Sequence, residues 1–109
     1  MASQPRVLVT GMSMISGLGR STATNWASVL ANRCTITKLD GPEFDGLDCR
    51  IGGPLPLSLF NPDDHPTSFK FRGSSLAAAL ASDCIQDSGI DLGGLTEAQL
   101  RRFGVVVSN

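Results

Sequence analysis

The chain has 109 residues, 41% of them hydrophobic and 17% charged, with a net charge of −1. That is the profile of one small globular domain and not of a disordered segment. It carries no basic stripe of the kind a nucleic-acid binder shows, and no apolar run approaches a membrane span, so neither nucleic acid nor membrane is an expected partner. The three cysteines, Cys34, Cys49 and Cys84, are odd in number and widely spaced, with no Cys-x-x-Cys pair. They read as reduced thiols, not as a disulfide framework or a zinc site. Only Met1–Pro5 precede the first predicted element. That is too short for a signal or transit peptide, so the expected compartment is the cytosol; mitochondrion or plastid is the alternative if a transit peptide is missing from this sequence.

The first element is the unbroken apolar run Val7-Leu8-Val9, which reads as a strand buried on both faces. Gly11, Gly17 and Gly19 follow in a loop whose tight path a side chain would obstruct. Ser21 or Thr22 can cap a helix over Ala23–Ala31. In it Ala23, Trp26, Ala27 and Leu30 recur at helical spacing, which predicts Trp26 and Leu30 on a core-facing side. Asn32 tolerates the left-handed backbone that ends such a helix.

From Asn32 to Pro66 glycine and proline are frequent, and no long helix can form there. Cys49-Arg50-Ile51 reads as a short strand at the edge of a hairpin, and Asn61–Pro66 as a turn. So long a loop-rich stretch is usually functional or packed against another part of the molecule. Leu55, Leu57, Leu59 and Phe60 are expected to be more exposed than their chemistry prefers.

A second helix is predicted over Ser74–Ser88. Its face of Ala77, Leu80, Ala81, Cys84 and Ile85 is mostly small, and Gly89 stands at its stop. Leu92–Leu95 is a turn. Thr96 and Gln99 form a capping box that opens a short helix, Glu97–Arg102. Val105–Val107 reads as a further buried strand. The expected class is α/β with a mixed sheet. The two valine runs are expected to be neighbours in that sheet, with the Ala77–Ile85 helix beside them. Two main helices cannot cover both faces of such a sheet, so the chain reads as the opening portion of a larger fold.

Few side chains suggest chemistry. Thr10-Gly11 after a strand is similar to the loop of short-chain dehydrogenases. However, five residues separate Gly11 from Gly17, Ile15 stands where a middle glycine belongs, and no acidic residue ends a second strand about twenty residues on. No nicotinamide cofactor is expected. His65, the only histidine, sits in a turn and reads as a solvated loop residue. Asp63, Asp64 and His65 are consecutive and do not converge on one metal ion. Arg101-Arg102 and Lys70–Arg72 read as solvated charges, with Arg72 alternatively anchoring the start of the long helix through a buried ion pair.

The wording of several segments carries a resemblance. Arg6-Val7-Leu8-Val9-Thr10-Gly11-Met12-Ser13-Met14-Ile15-Ser16-Gly17-Leu18-Gly19 resembles R-V-V-V-T-G-M-G-x-V-S-P-L-G, the opening of the β-ketoacyl-acyl-carrier-protein synthases. Trp26 through Leu30-Ala31 is similar to W-x-x-L-L-x-G, and Phe71-Arg72 to the family's D-R-F or S-R-F. Ala77-Ala78-Ala79 through Asp87-Ser88-Gly89-Ile90 is similar to A-x-x-A-x-x-D-A-G-L. Arg102 through Ser108 resembles R-x-G-V-x-x-G-S, while Cys49-Arg50-Ile51 matches the intervening segment loosely. The phrases stand in order over essentially the whole chain. Ser13 replaces a usual Gly, Gly17 a usual Pro, and Ser108 or Asn109 the Gly that continues the last loop.

The resemblance implies a thiolase-like fold of duplicated α/β halves, usually a homodimer, of which residues 1–109 would be the partial N-terminal domain. It implies decarboxylative Claisen condensation of an acyl thioester with malonyl-carrier protein, in fatty-acid or polyketide synthesis. The family's nucleophilic cysteine, its two histidines and its lysine all lie beyond the point matching Asn109. Cys34, Cys49, Cys84 and His65 match none of them. The resemblance therefore implies no catalytic, cofactor-binding or metal residue in these 109 positions, and no condensing activity from them alone. A non-catalytic remnant or interaction module of the same fold is the second reading, and a dinucleotide-binding oxidoreductase the third.

Overall fold

The computed structural model describes residues 4–65 and 71–108; Pro66, Lys70 and Asn109 lie outside them. Helix α1 spans Thr22–Leu30 and helix α2 Arg72–Ser88, with a short α3 at Glu97–Leu100. Strands β1, Thr37–Lys38, and β2, Ile51–Gly52, form one antiparallel pair. Single 3-10 turns occupy Pro42–Phe44, Pro62–Asp64 and Leu92–Gly94. The class is thus mixed helix with a small antiparallel sheet.

Local chemistry explains where the helices start and stop. At α1 the Ser21 hydroxyl accepts the Thr24 N–H at 3.1 Å, and the Thr24 hydroxyl accepts the Ser21 N–H at 3.0 Å. This is a reciprocal cap with threonine in the place glutamate usually takes. Asn32, at φ 54°, leaves the helix through the left-handed region. At α2 the stop is Gly89, φ 69°, a conformation that costs glycine no Cβ clash. The helix begins two residues before its predicted start, because the Arg72 guanidinium donates to the Leu55 carbonyl and ties the first turn to the preceding loop. That anchor is a carbonyl contact at an exposed residue, not the buried ion pair considered for Arg72. In α3 the Thr96–Gln99 box forms as expected, with the Gln99 N–H donating to Thr96 at 3.3 Å and the Thr96 N–H to Gln99 at 2.9 Å. The helix ends at Leu100, short of Arg102.

The hairpin is where it was expected but shifted. Ile51 is in β2, Cys49 is not, and Thr37↔Gly52 and Lys38↔Ile51 are the partners. The Leu39 N–H adds one more rung to the Arg50 carbonyl at 2.8 Å.

Two expectations about burial fail, and a third fails at Phe60 alone. Val7–Val9 and Val105–Val107 are not strands and are not paired: Val7, Leu8 and Val9 are 94, 74 and 81% exposed, and Val105, Val106 and Val107 are 86, 97 and 72% exposed. A strand exists only through its neighbour, and among the described residues no chain segment lies alongside either run. Trp26 and Leu30 also face out, at 61 and 69% exposure. The side of α1 that is buried carries Asn25 and Ser28. Lastly, Phe60 is 2% exposed, whereas Leu57 is exposed and Leu55 and Leu59 are half-buried. Phe60 and Ala79 of α2 are the buried apolar side chains among the described residues.

Candidate functional site

The glycine loop is the best-built part of the molecule. Its turn closes on itself: the Ser16 N–H donates to the Gly19 carbonyl at 3.0 Å and the Gly19 N–H to the Ser16 carbonyl at 3.1 Å. Helix α1 docks on this turn through polar side chains, because what it meets is backbone. Asn25 donates from its amide nitrogen to the carbonyls of Gly19 at 2.9 Å and Ser21 at 2.8 Å, and its oxygen accepts the Ser16 hydroxyl. The Ser28 hydroxyl donates to the Leu18 carbonyl at 3.0 Å. An apolar face could not satisfy those carbonyls, which is why the Trp26–Leu30 stripe is left outside.

The start of the loop is fastened along one side of α2. The Met12 N–H donates to Asp87 Oδ2 at 2.8 Å, the Ser13 hydroxyl to the Leu80 carbonyl at 2.7 Å, and Arg20 pairs with Asp83 at 2.6 Å. Leu80, Asp83 and Asp87 fall three and four residues apart and so share a helix face. Gly11 is required by this approach: a Cβ there would run into the Cys84 carbonyl and lie 2.8 Å from Ser88 Cβ. Between loop, α1 and α2 opens a cleft of about 880 Å³, lined by Met12, Met14, Arg20, Trp26, Asp83 and Asp87 among others.

Besides its apolar side chains and the Arg20–Asp83 ion pair, the cleft is lined by Ser13, Ser21 and Asp87, whose hydrogen bonds go to the Leu80 carbonyl, Thr24 and the Met12 N–H and not to one another. Cys84 is half-buried on α2, and Cys34 and Cys49 are exposed. His65 stacks on Phe60 with ring centroids 5.3 Å apart and an interplanar angle of 10°. It is a half-buried packing residue, where a solvated one was expected. Asp63 and Asp64 sit in the 3-10 turn before it, and the Asp63 N–H is taken up by Asn61 Oδ1 at 3.2 Å. Among the described residues no three His, Cys, Asp or Glu are placed to hold a metal ion. Arg101 pairs with Glu97 on the exposed face of α3.

The loop also differs from a phosphate cradle. Its N–H groups at Met12, Ser16, Leu18 and Gly19 are spent on protein acceptors, one of them the carboxylate of Asp87. A pyrophosphate needs such groups free and no anion beside them. The links from Arg20 and Met12 to α2 had no signal in the sequence, since nothing in the loop's wording names a partner more than sixty residues away.

No protein-family model matches the chain, and no solved structure matches it. One curated relative does. It is a Schizosaccharomyces pombe protein provisionally named a mitochondrial 3-oxoacyl-acyl-carrier-protein synthase, 31% identical over 92 residues. The match takes in 76% of this chain and 22% of the relative, so the chain spans about a fifth of that protein's length. No helix among the described residues is long and apolar enough to cross a membrane.

Proposed function

We propose that this chain is the opening segment of a β-ketoacyl-acyl-carrier-protein synthase with a thiolase-like fold, contributing scaffold and not catalytic groups. The observation that carries the reading is collinearity. The Arg6–Gly19, Trp26–Ala31, Phe71-Arg72, Ala77–Ile90 and Arg102–Ser108 phrases stand in family order, and the relative that aligns with 76% of the chain bears a synthase name. In the complete reaction a cysteine thiolate attacks the acyl thioester and releases the carrier's thiol. Loss of carbon dioxide from malonyl-carrier protein then leaves an enolate carbon that attacks the bound acyl group and frees the cysteine. Histidines stabilise the developing oxyanions. In this reading the segment supplies none of these groups. Its part is to hold the Gly11–Gly19 loop rigidly against α2. The acyl carrier protein and a second synthase subunit are the proposed partners. The mitochondrial name of the relative favours the mitochondrion over the cytosol.

Two assays test the reading together, both measuring carbon dioxide release from malonyl-carrier protein with an acyl donor. The 109-residue chain alone is expected to show no turnover. A chimera in which this chain replaces the matching segment of the Schizosaccharomyces pombe relative is expected to be active. An inactive but folded chimera, or turnover by the isolated chain that Cys84→Ala abolishes, would count against it.

A further inference from the structure

The turn that closes the glycine loop sits against the base of the β1–β2 hairpin. The strands pair Thr37 with Gly52 and Lys38 with Ile51. Carried two residues outward, that register sets Thr35 opposite Pro54, where proline has no N–H to continue the ladder. Both residues flank Gly17. A Cβ on Gly17 would lie 2.8 Å from Thr35 Oγ1, 3.2 Å from Thr35 Cβ and 2.9 Å from the Pro54 carbonyl oxygen. Thr35 is half-buried between the exposed Cys34 and Ile36, in keeping with a side chain turned onto the loop.

The demand for glycine here is spatial, not conformational. The positive-φ residues are Asn32, Gly46 and Gly89, so an L-residue could adopt the backbone of Gly17. The Gly17 N–H donates to no acceptor among the described residues. Gly17 also stands second in the turn from Ser16 to Gly19, the place proline favours. The proline that the resemblance puts at position 17 would therefore suit the turn, and it is the hairpin that excludes it. Ser13 and Ser16 of the loop bond to Leu80 and Asn25. Among the described residues no backbone hydrogen bond joins residues 34–54 to residues 11–19.

We infer that the β1–β2 hairpin is a strap held on the glycine loop by shape alone, with Gly17 as its seat and Thr35 as the size-matched partner of that seat. Gly11 makes room for α2 and Gly17 for the hairpin, so the two glycines serve different neighbours. Any side chain at position 17 lifts the strap. Trimming Thr35 to glycine removes two of the three close contacts and frees the strand end to move away from the third. The inference is independent of the synthase reading.

The test follows the full chain by NMR and amide hydrogen exchange. The parent should show a nuclear Overhauser contact between the Gly17 Hα protons and the Thr35 side chain. Exchange is read at the Leu39 N–H, which bonds the Arg50 carbonyl in the hairpin, with the Gln99 N–H of α3 as reference. Gly17→Ala and Gly17→Pro should each speed exchange at Leu39 by about tenfold and leave Gln99 within about twofold of the parent. Gly53→Ala adds the same methyl group beside β2, where nothing lies within 4 Å, and should leave Leu39 unchanged. Gly17→Ala combined with Thr35→Gly should return Leu39 to within about threefold of Thr35→Gly alone. If Gly17→Ala does not fold, the double variant should still recover the parent's circular dichroism. A missing Overhauser contact, unchanged Leu39 exchange in both Gly17 variants, equal acceleration by Gly53→Ala, or a double variant no better than Gly17→Ala would each overturn the inference. The chimera's turnover bears on the synthase reading alone and leaves these outcomes as they stand.

Discussion

Asn25 is the side chain on which the loop's geometry depends. It is 4% exposed and engages Ser16, Gly19 and Ser21 at once. Replacing it with alanine leaves the Ser16 hydroxyl without its acceptor, while the Gly19 and Ser21 carbonyls each lose one donor and keep a backbone N–H. Each buried group left unsatisfied costs about 1–3 kcal/mol, less where water can enter. Asn25→Ala should therefore destabilise the chain by about 1–3 kcal/mol, read from the shift in urea midpoint. Gly11 is constrained differently, by space. Gly11→Val should push the loop off α2 and break the Met12–Asp87 hydrogen bond. Trp26 is the single tryptophan and lines the adjoining cleft, so its fluorescence should shift in the valine variant, and an unchanged spectrum would show that the loop tolerates the bulk. The need for glycine at position 11 was legible in the sequence, because a strand-to-helix loop has few other ways to approach a helix. The role of Asn25 was not. Periodicity counts apolar positions and is blind to a helix that docks on carbonyls.

At the level of elements, starts and stops were the readable part. Ser21, Thr96 and Gly89 carry their signals in their own side chains or in the lack of one, so α1, α2 and α3 fall within a residue or two of where they were expected. What a helix faces is another matter. The Ala23–Leu30 stripe has the right spacing for a core, yet the nearest structure offers only backbone polar groups and the helix turns Asn25 and Ser28 inward. Trp26→Ala in the isolated chain should thus change stability by no more than about 0.5 kcal/mol, the range of ordinary surface changes. A loss of several kcal/mol in a thermal or urea melt would place Trp26 in a core after all. The valine runs were misread for a related reason. Composition marks a segment as willing to be a strand, but pairing makes it one, and the pairing partner is not encoded in the run itself.

The molecule as a whole buries too little to behave as an ordinary domain, and its unfolding should show this directly. An unfolded chain of 11.4 kDa exposes about 16,500 Å². With 9213 Å² still exposed when folded, folding hides about 7,300 Å², roughly two-thirds of what a compact chain of this mass hides. The denaturant dependence of stability scales with the surface uncovered on unfolding. The urea m-value of the isolated chain should therefore be about two-thirds of that of a compact domain of equal length. The heat capacity of unfolding should fall further than that ratio, because apolar exposure is what raises it and the valine runs are already in water. An m-value of ordinary size in the chain alone would mean that the valine runs and the Trp26 stripe find cover in solution, within the chain or between copies. Repeating the urea titration at tenfold lower protein concentration separates those two cases, since only association makes the midpoint depend on concentration.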